Sequence, residues 1–152
     1  MICQAGFDSP LGGLLVSEQT GALTKLEWRR LGEAGESSDL LDLACNQLRE
    51  YFAHARQHFD LPLDFGTGLQ REVRLAMLAI PYGETRTYGN LAKAIGVPAQ
   101  AIGQACGANA LPIFIPCHRV LGAASLGGYS GTGGVETKVA LLRLEGAASL
   151  LI

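Results

Sequence analysis

Apolar and polar residues take turns over residues 6–28, and this predicts strands. Gly12-Gly13-Leu14-Leu15-Val16 is apolar, Gln19-Thr20-Gly21 reads as a turn, and Ala22 to Trp28 alternates, so a hairpin is expected. Residues 29–38 are polar and contain glycine, which predicts a loop. From Ser38 to about Ala55 the period changes to that of a helix. Leu40, Leu41, Ala44, Leu48, Tyr51 and Phe52 fall on one side, and Ser38 is a suitable cap. Leu61-Pro62-Leu63-Asp64-Phe65-Gly66 interrupts the pattern and reads as a linker.

Beyond the linker the chain is helical. Thr67 is placed to cap a helix carrying Leu69, Val73, Ala76, Met77 and Ile80, which Pro81-Tyr82-Gly83 ends. Thr87 opens a short helix with Leu91, Ala92 and Ile95 inward. Gly96-Val97-Pro98 turns the chain into a second short helix over 99–107. Two short helices around a glycine-containing turn have the outline of a helix-turn-helix, which many helical pairs share. The second helix carries no Lys or Arg, only Ala, Gly, Gln, Ile and Cys. Its small surface suits either close approach to a narrow groove or tight packing in a core. A last helix is expected from about Glu136 to Glu145.

The pattern therefore predicts an α/β (α+β) chain in two parts. A sheet-and-helix domain covers residues 1–63. A mainly helical, winged-helix-like domain with the helix-turn-helix covers 64–152. With 48 % apolar and 17 % charged residues the chain buries a core and is not disordered. No apolar run reaches the ~20 residues of a membrane span. The start lacks a basic region followed by an apolar stretch, so a cytoplasmic location is expected. Four cysteines without a C-x-x-C pair are expected to be free thiols there. The net charge of −2 does not single out nucleic acid as a partner. Residues 1–63 hold five Lys/Arg against nine Asp/Glu, and residues 64–152 hold seven against five. Any DNA contact is thus expected from the second part, with few phosphate contacts.

The chemistry concentrates in Leu111-Pro112-Ile113-Phe114-Ile115-Pro116-Cys117-His118-Arg119-Val120-Leu121. An extended apolar run held between two prolines delivers a thiol, an imidazole and a guanidinium in succession. A thiol reacts as its thiolate, which a proton-accepting His and an adjacent cation both favour. A carboxylate on the other imidazole nitrogen completes such a relay, and Glu145 is the candidate. Sequence neighbours normally point to different sides, so the residues alone leave Cys117 open as a nucleophile or as a buried structural thiol.

Ile115-Pro116-Cys117-His118-Arg119-Val120 resembles the signature of the O6-alkylguanine-DNA alkyltransferases, also called methylated-DNA–protein-cysteine methyltransferases. Leu61-Pro62-Leu63-Asp64, Gly66-Thr67, Gln70, Ile80 to Thr85 and Thr87-Tyr88-Gly89 resemble the family's approach to its helix-turn-helix. Gly128-Tyr129-Ser130-Gly131, Lys138, Leu141-Leu142 and Glu145-Gly146 resemble its C-terminal end. Phe7 to Gly12 and Leu48 to Phe52 fit its more variable first part. The resemblance covers nearly the whole chain and is strongest over 61–146.

The resemblance implies DNA repair by one irreversible transfer of an alkyl group from O6-alkylguanine to Cys117. It implies that His118 accepts a proton through a water and that Glu145 orients it. Asn109 is then the hinge between the recognition helix and the active-site segment, and Tyr88 donates a proton toward the departing base. Tyr129 and Ser130 belong to a loop closing over a flipped guanine, with Arg119 as an anchor for that loop. Gln100, Ala101, Gly103 and Gln104 lie on a helix in the minor groove of double-stranded DNA. The implied protein is a monomer with no cofactor. Cys3, His54 and His58 do not form a recognisable zinc set, so no metal is expected. The chain departs from the family at Gln100, where an arginine normally enters the base stack, and the stretch from Tyr88 to Asn109 is slightly short. Weak DNA binding and slow repair are expected from this. Leu69 and Arg74 stand where aromatics are usual, which reads as variation in helix packing. Three other readings remain. One is an alkyltransferase-like protein that binds alkylated DNA and recruits other repair factors. Another is a multiple-turnover cysteine hydrolase using Cys117, His118 and Glu145. The last is a gene regulator, for which the extra domain of larger relatives is lacking.

Overall fold

Thr20 and Gly21 both take positive φ, 55° and 79°, the geometry that joins two strands through a tight two-residue turn. That turn links β2 (Gly12–Gln19) to β3 (Ala22–Trp28), and β1 (Ile2–Ser9) pairs antiparallel with β2 on its other side. The expected hairpin is thus a three-stranded meander that begins four residues earlier, at Ile2. A bulge opposite Ser17 and Glu18 leaves Thr24 as an extra residue, so Leu23 and Leu26, three apart, are both buried. The computed structural model describes residues 2–29, 35–122 and 134–147.

Helix α1 (Asp39–Phe52) starts where the Ser38 hydroxyl accepts the Leu41 amide at 3.2 Å. It buries Leu41, Ala44, Leu48 and Tyr51, and it stops before Ala55 because His54 turns to φ 61°. The segment read as a linker is partly built into the sheet. Leu23 donates to the Pro62 carbonyl and Asp64 donates to the Leu23 carbonyl, both at 2.9 Å, which makes a short parallel bridge beside β3. The chain divides into two compact units, 1–64 and 65–152.

The second unit holds α2 (Gly68–Leu78), β4 (Arg86–Thr87), α3 (Tyr88–Ile95), α4 (Ala99–Gly107), β5 (Val120–Leu121) and α5 (Val135–Leu144). Thr67 stands at the cap position of α2, but its side chain makes no capping bond, contrary to expectation. Thr87 does cap α3, in a reciprocal box with Asn90 at 3.0 and 2.9 Å. Gly96 at φ 88° closes α3 in the left-handed region, and α4 follows at once, which gives the helix-turn-helix. The mixed α/β class is as the pattern predicts. The parallel pair β4–β5 is new, because two-residue strands carry no periodicity to read.

The run from Leu111 to Pro116 is not extended. It folds into successive turns, with Ile115 donating to the Leu111 carbonyl at 2.8 Å and Phe114 to that of Pro112 at 2.9 Å. Every residue from 111 to 121 is buried. An extended chain there would need a sheet partner for its buried amides, and turns satisfy them locally. No described helix is long and apolar enough to cross a membrane.

Candidate active site

Asn109 fixes the turns that lead to the thiol. Its amide nitrogen donates to the Ile115 carbonyl at 2.9 Å, and its oxygen accepts the Leu111 amide at 3.1 Å. Ile113 is held at φ 74°, which a β-branched residue adopts only when its surroundings insist. The chain then makes one 3-10 turn, Cys117–Arg119. The Cys117 thiol is buried, 6 % exposed. Burial pushes its pKa up, against the Asn109 side-chain hydrogen bond, the Lys138 charge and a backbone hydrogen bond, so the resting thiol keeps its proton. The expectation that the adjacent cation favours the thiolate is corrected here. Arg119, the adjacent cation, is turned to a carboxylate, and the cation that acts on the thiol is Lys138.

That carboxylate is Glu145, at the end of α5. Its Oε2 lies 2.8 Å from His118 Nε2. Arg119 grips it with two bonds, Nε to Oε1 at 2.8 Å and Nη2 to Oε2 at 2.9 Å, and ties Nη1 to the Ile80 carbonyl at 2.7 Å. Burial opposes ionisation of Glu145, but the His118 hydrogen bond and the Arg119 pair outweigh it and hold the carboxyl down to about 2. Burial lowers the pKa of His118 as well, so the imidazole is neutral at pH 7 and donates Nε2–H to the carboxylate. Nδ1 is then the acceptor, buried and without a hydrogen-bond partner among the described residues. Gly83 admits this arrangement from the α2–α3 turn. Its φ is 83°, and an added Cβ would lie 3.2 Å from the Glu145 carbonyl oxygen.

The β4–β5 pair sets Tyr88, the residue after β4, beside the strand that follows Arg119. Lys138 of α5 is fully buried, donates to the Val120 carbonyl at 2.7 Å, and lies 5.8 Å from the Tyr88 ring centroid. Burial lowers its pKa to about 8, with the Cys117 and Cys106 thiols opposing. On α4, Gln100 and Gln104 are exposed, and Ala101 and Gly103 are half-buried. Cys117, His118, Arg119, Glu145 and Asn109 are therefore brought into one buried cluster, with the α4 residues on a surface. Tyr129 and Ser130 lie outside the described residues.

Residues 68–147 match the profile of the 6-O-methylguanine DNA methyltransferase DNA-binding domain, and residues 2–65 match that family's ribonuclease-like domain. The chain belongs to the 6-O-methylguanine DNA methyltransferase family. The constitutive methylated-DNA–protein-cysteine methyltransferase of Bacillus subtilis is 41 % identical over 91 % of this chain and 92 % of its own length. The Mycobacterium tuberculosis methylated-DNA–protein-cysteine methyltransferase is 43 % identical over 95 % and 93 %. The crystal structure of Mycobacterium tuberculosis O6-methylguanine methyltransferase superposes with a TM-score of 0.81 at 40 % identity, covering 97 % of this chain and 94 % of that one. A crystal structure of the same organism's OGT in complex with DNA gives 0.80 at 43 % identity, covering 93 % and 91 %.

Within this family member, two features escaped the sequence reading. Lys138 was matched without a role, yet it shares the buried stripe of α5 with Leu141 and Leu142. A lysine at positions i, i+3 and i+4 with two leucines is the signal that marks it. Arg74 was read as a packing variation. It is a buried guanidinium, 7 % exposed, and donates to the Ala108 carbonyl at 3.2 Å.

Proposed function

We propose that the protein repairs DNA by direct, irreversible transfer of an alkyl group, typically methyl, from O6-alkylguanine to Cys117. The observation that carries this reading is the buried cluster in which the thiol segment, the His118–Glu145 pair and Asn109 are held together. Family membership agrees with it.

In this reading the Cys117 proton passes through a water to Nδ1 of neutral His118, whose other nitrogen is held by Glu145. The sulphur then attacks the alkyl carbon, a carbon–sulphur bond forms and the carbon–O6 bond breaks. The electron pair stays on the guanine, which takes a proton from Tyr88. Arg119 keeps Glu145 ionised and aimed, and is thereby a positioning residue. The product is a thioether, a poor leaving group, so each monomer repairs one lesion. O6 is out of reach within a duplex, and the nucleotide has to leave the stack, at a cost of a few kcal/mol. Gln100, Ala101, Gly103 and Gln104 face the minor groove.

Incubation with duplex DNA carrying O6-methylguanine tests the proposal by peptide mass spectrometry. One added methyl on the Cys117 peptide is expected, with none in Cys117→Ala. An unmodified protein that still binds the lesion would support the alkyltransferase-like reading, and continued turnover would support a hydrolase.

A further inference from the structure

Helix α4 has little of its own to hold it. It is nine residues long and contains two glycines, and Pro98 offers no side-chain cap at its start. Its end lacks a left-handed glycine, since Ala108 sits at φ −91°. The Gln104, Ala105 and Cys106 carbonyls accept the amides of Ala108 and Asn109, and the carbonyls of Ala105 and Ala108 are also taken up from outside. Gln70 Nε2 donates to the Ala105 carbonyl at 3.0 Å, and Arg74 Nη2 donates to the Ala108 carbonyl at 3.2 Å. Gln70 and Arg74 are one helical turn apart on α2, so a single rigid face supplies both donors. The guanidinium also places a positive charge at the negative end of the α4 dipole. Burying a guanidinium is costly unless its donors are satisfied, and Arg74 is 7 % exposed.

The residue after Ala108 is Asn109, whose side chain fixes Leu111 and Ile115 on the way to Cys117. Displacement of the α4 end therefore moves the exposed face of α4 relative to the thiol.

We propose that Gln70 and Arg74 form a clamp on the end of α4 that sets the register between the DNA-facing surface of that helix and Cys117. They are positioning residues for the duplex reaction, and this rests on the alkyl-transfer reading above. A free O6-alkylguanine base reaches the thiol without help from α4, whereas a nucleotide in a duplex is delivered by it.

The test compares Arg74→Met, Arg74→Lys and Gln70→Leu with wild type on two substrates, duplex O6-methylguanine and free O6-benzylguanine. Arg74→Met is expected to slow the duplex reaction about tenfold and leave the free-base rate within about twofold. Arg74→Lys, which keeps the charge, recovers part of the loss. Gln70→Leu gives the same pattern at smaller size, and it carries the comparison with Arg74→Lys if Arg74→Met does not fold. Amide hydrogen exchange at residues 105–109 is expected to speed up in each variant that loses a donor. Equal loss on both substrates, or unchanged exchange at 105–109, overturns the clamp. Failure of wild type to alkylate Cys117 overturns the transfer reading, and the exchange measurement then decides the clamp separately.

Discussion

Two stretches of the second unit meet at Asn109 and are built in opposite ways. Residues 111–121 are buried throughout, and apart from His118 Nδ1 the polar side chains around them are bonded to named partners at 2.7–3.1 Å. Helix α4 is uncharged, exposed at Gln100 and Gln104, and held at its end by side chains of another helix. The first stretch leaves its side chains one arrangement. The second leaves its surface open to rearrangement. Cys106 and Cys117 repeat the contrast within the unit. Burial pushes the Cys106 thiol up to about 12, and its neighbour is the Met77 sulphur at 3.5 Å. Cys117 is also raised by burial, and the Lys138 charge acts on both thiols, but Cys117 has the Asn109 amide acting on it as well. The lesson is that surroundings, more than burial itself, set the two thiols apart.

The largest break is expected at the thiol itself. Cys117→Ala abolishes methyl uptake by mass spectrometry and keeps binding to the lesion duplex, because α4 is untouched. Loss of both would mean that the two stretches are not separable. Next comes Glu145→Gln. It leaves Arg119 buried without its anion and His118 without its orienting charge. Transfer is expected to slow about 100-fold or more on duplex and free base alike. Melting temperature falls with it, because a buried ion is left unpaired. A variant slowed on duplex alone would remove Glu145 from the chemistry.

Acid sharpens the same contrast through stability. The folded-state pKa of Glu145 is about 2, below its ordinary value of 4.5, so the unfolded chain binds the proton first as pH falls. Its contribution is complete above about pH 4.5 and is lost between there and about 2. Urea unfolding midpoints measured across that window are expected to drop in wild type. They should vary less in Glu145→Gln, and parallel curves for the two proteins would exclude the assignment.

How much of this was legible beforehand follows the same division. Helix α1 was visible because apolar spacing over 14 residues encodes it, the helix-turn-helix because two short helical segments flank the Gly96 turn, and Ser38 and Thr87 announce their caps. The 111–116 run was misread as extended. Prolines and apolar side chains mark a buried rigid segment, but they do not say whether its amides bond to a strand or to one another. The β4–β5 pair was invisible because its partners are short and far apart in the chain. His118 and Glu145 were paired by chemical logic and resemblance. The grip of Arg119 on Glu145 and the burial of Arg74 depend on tertiary neighbours that no local pattern records.

The smallest expected effect lies on α4. Gln100 is exposed on the helix surface and carries no charge, where the family resemblance leads one to expect an arginine. Such an arginine fills the gap left by the extruded nucleotide and adds a cation among phosphates. Gln100→Arg is therefore expected to tighten duplex binding several-fold and to steepen its salt dependence by about one unit of slope. Duplex repair should quicken by a similar factor. The free-base rate should not move, because His118, Glu145 and Asn109 are unaltered and the free base needs no helix to deliver it. Repair and affinity that both stay at wild-type values would mean that Gln100 does not occupy the intercalating position, and that the shortened turn before α4 has shifted that role to another residue.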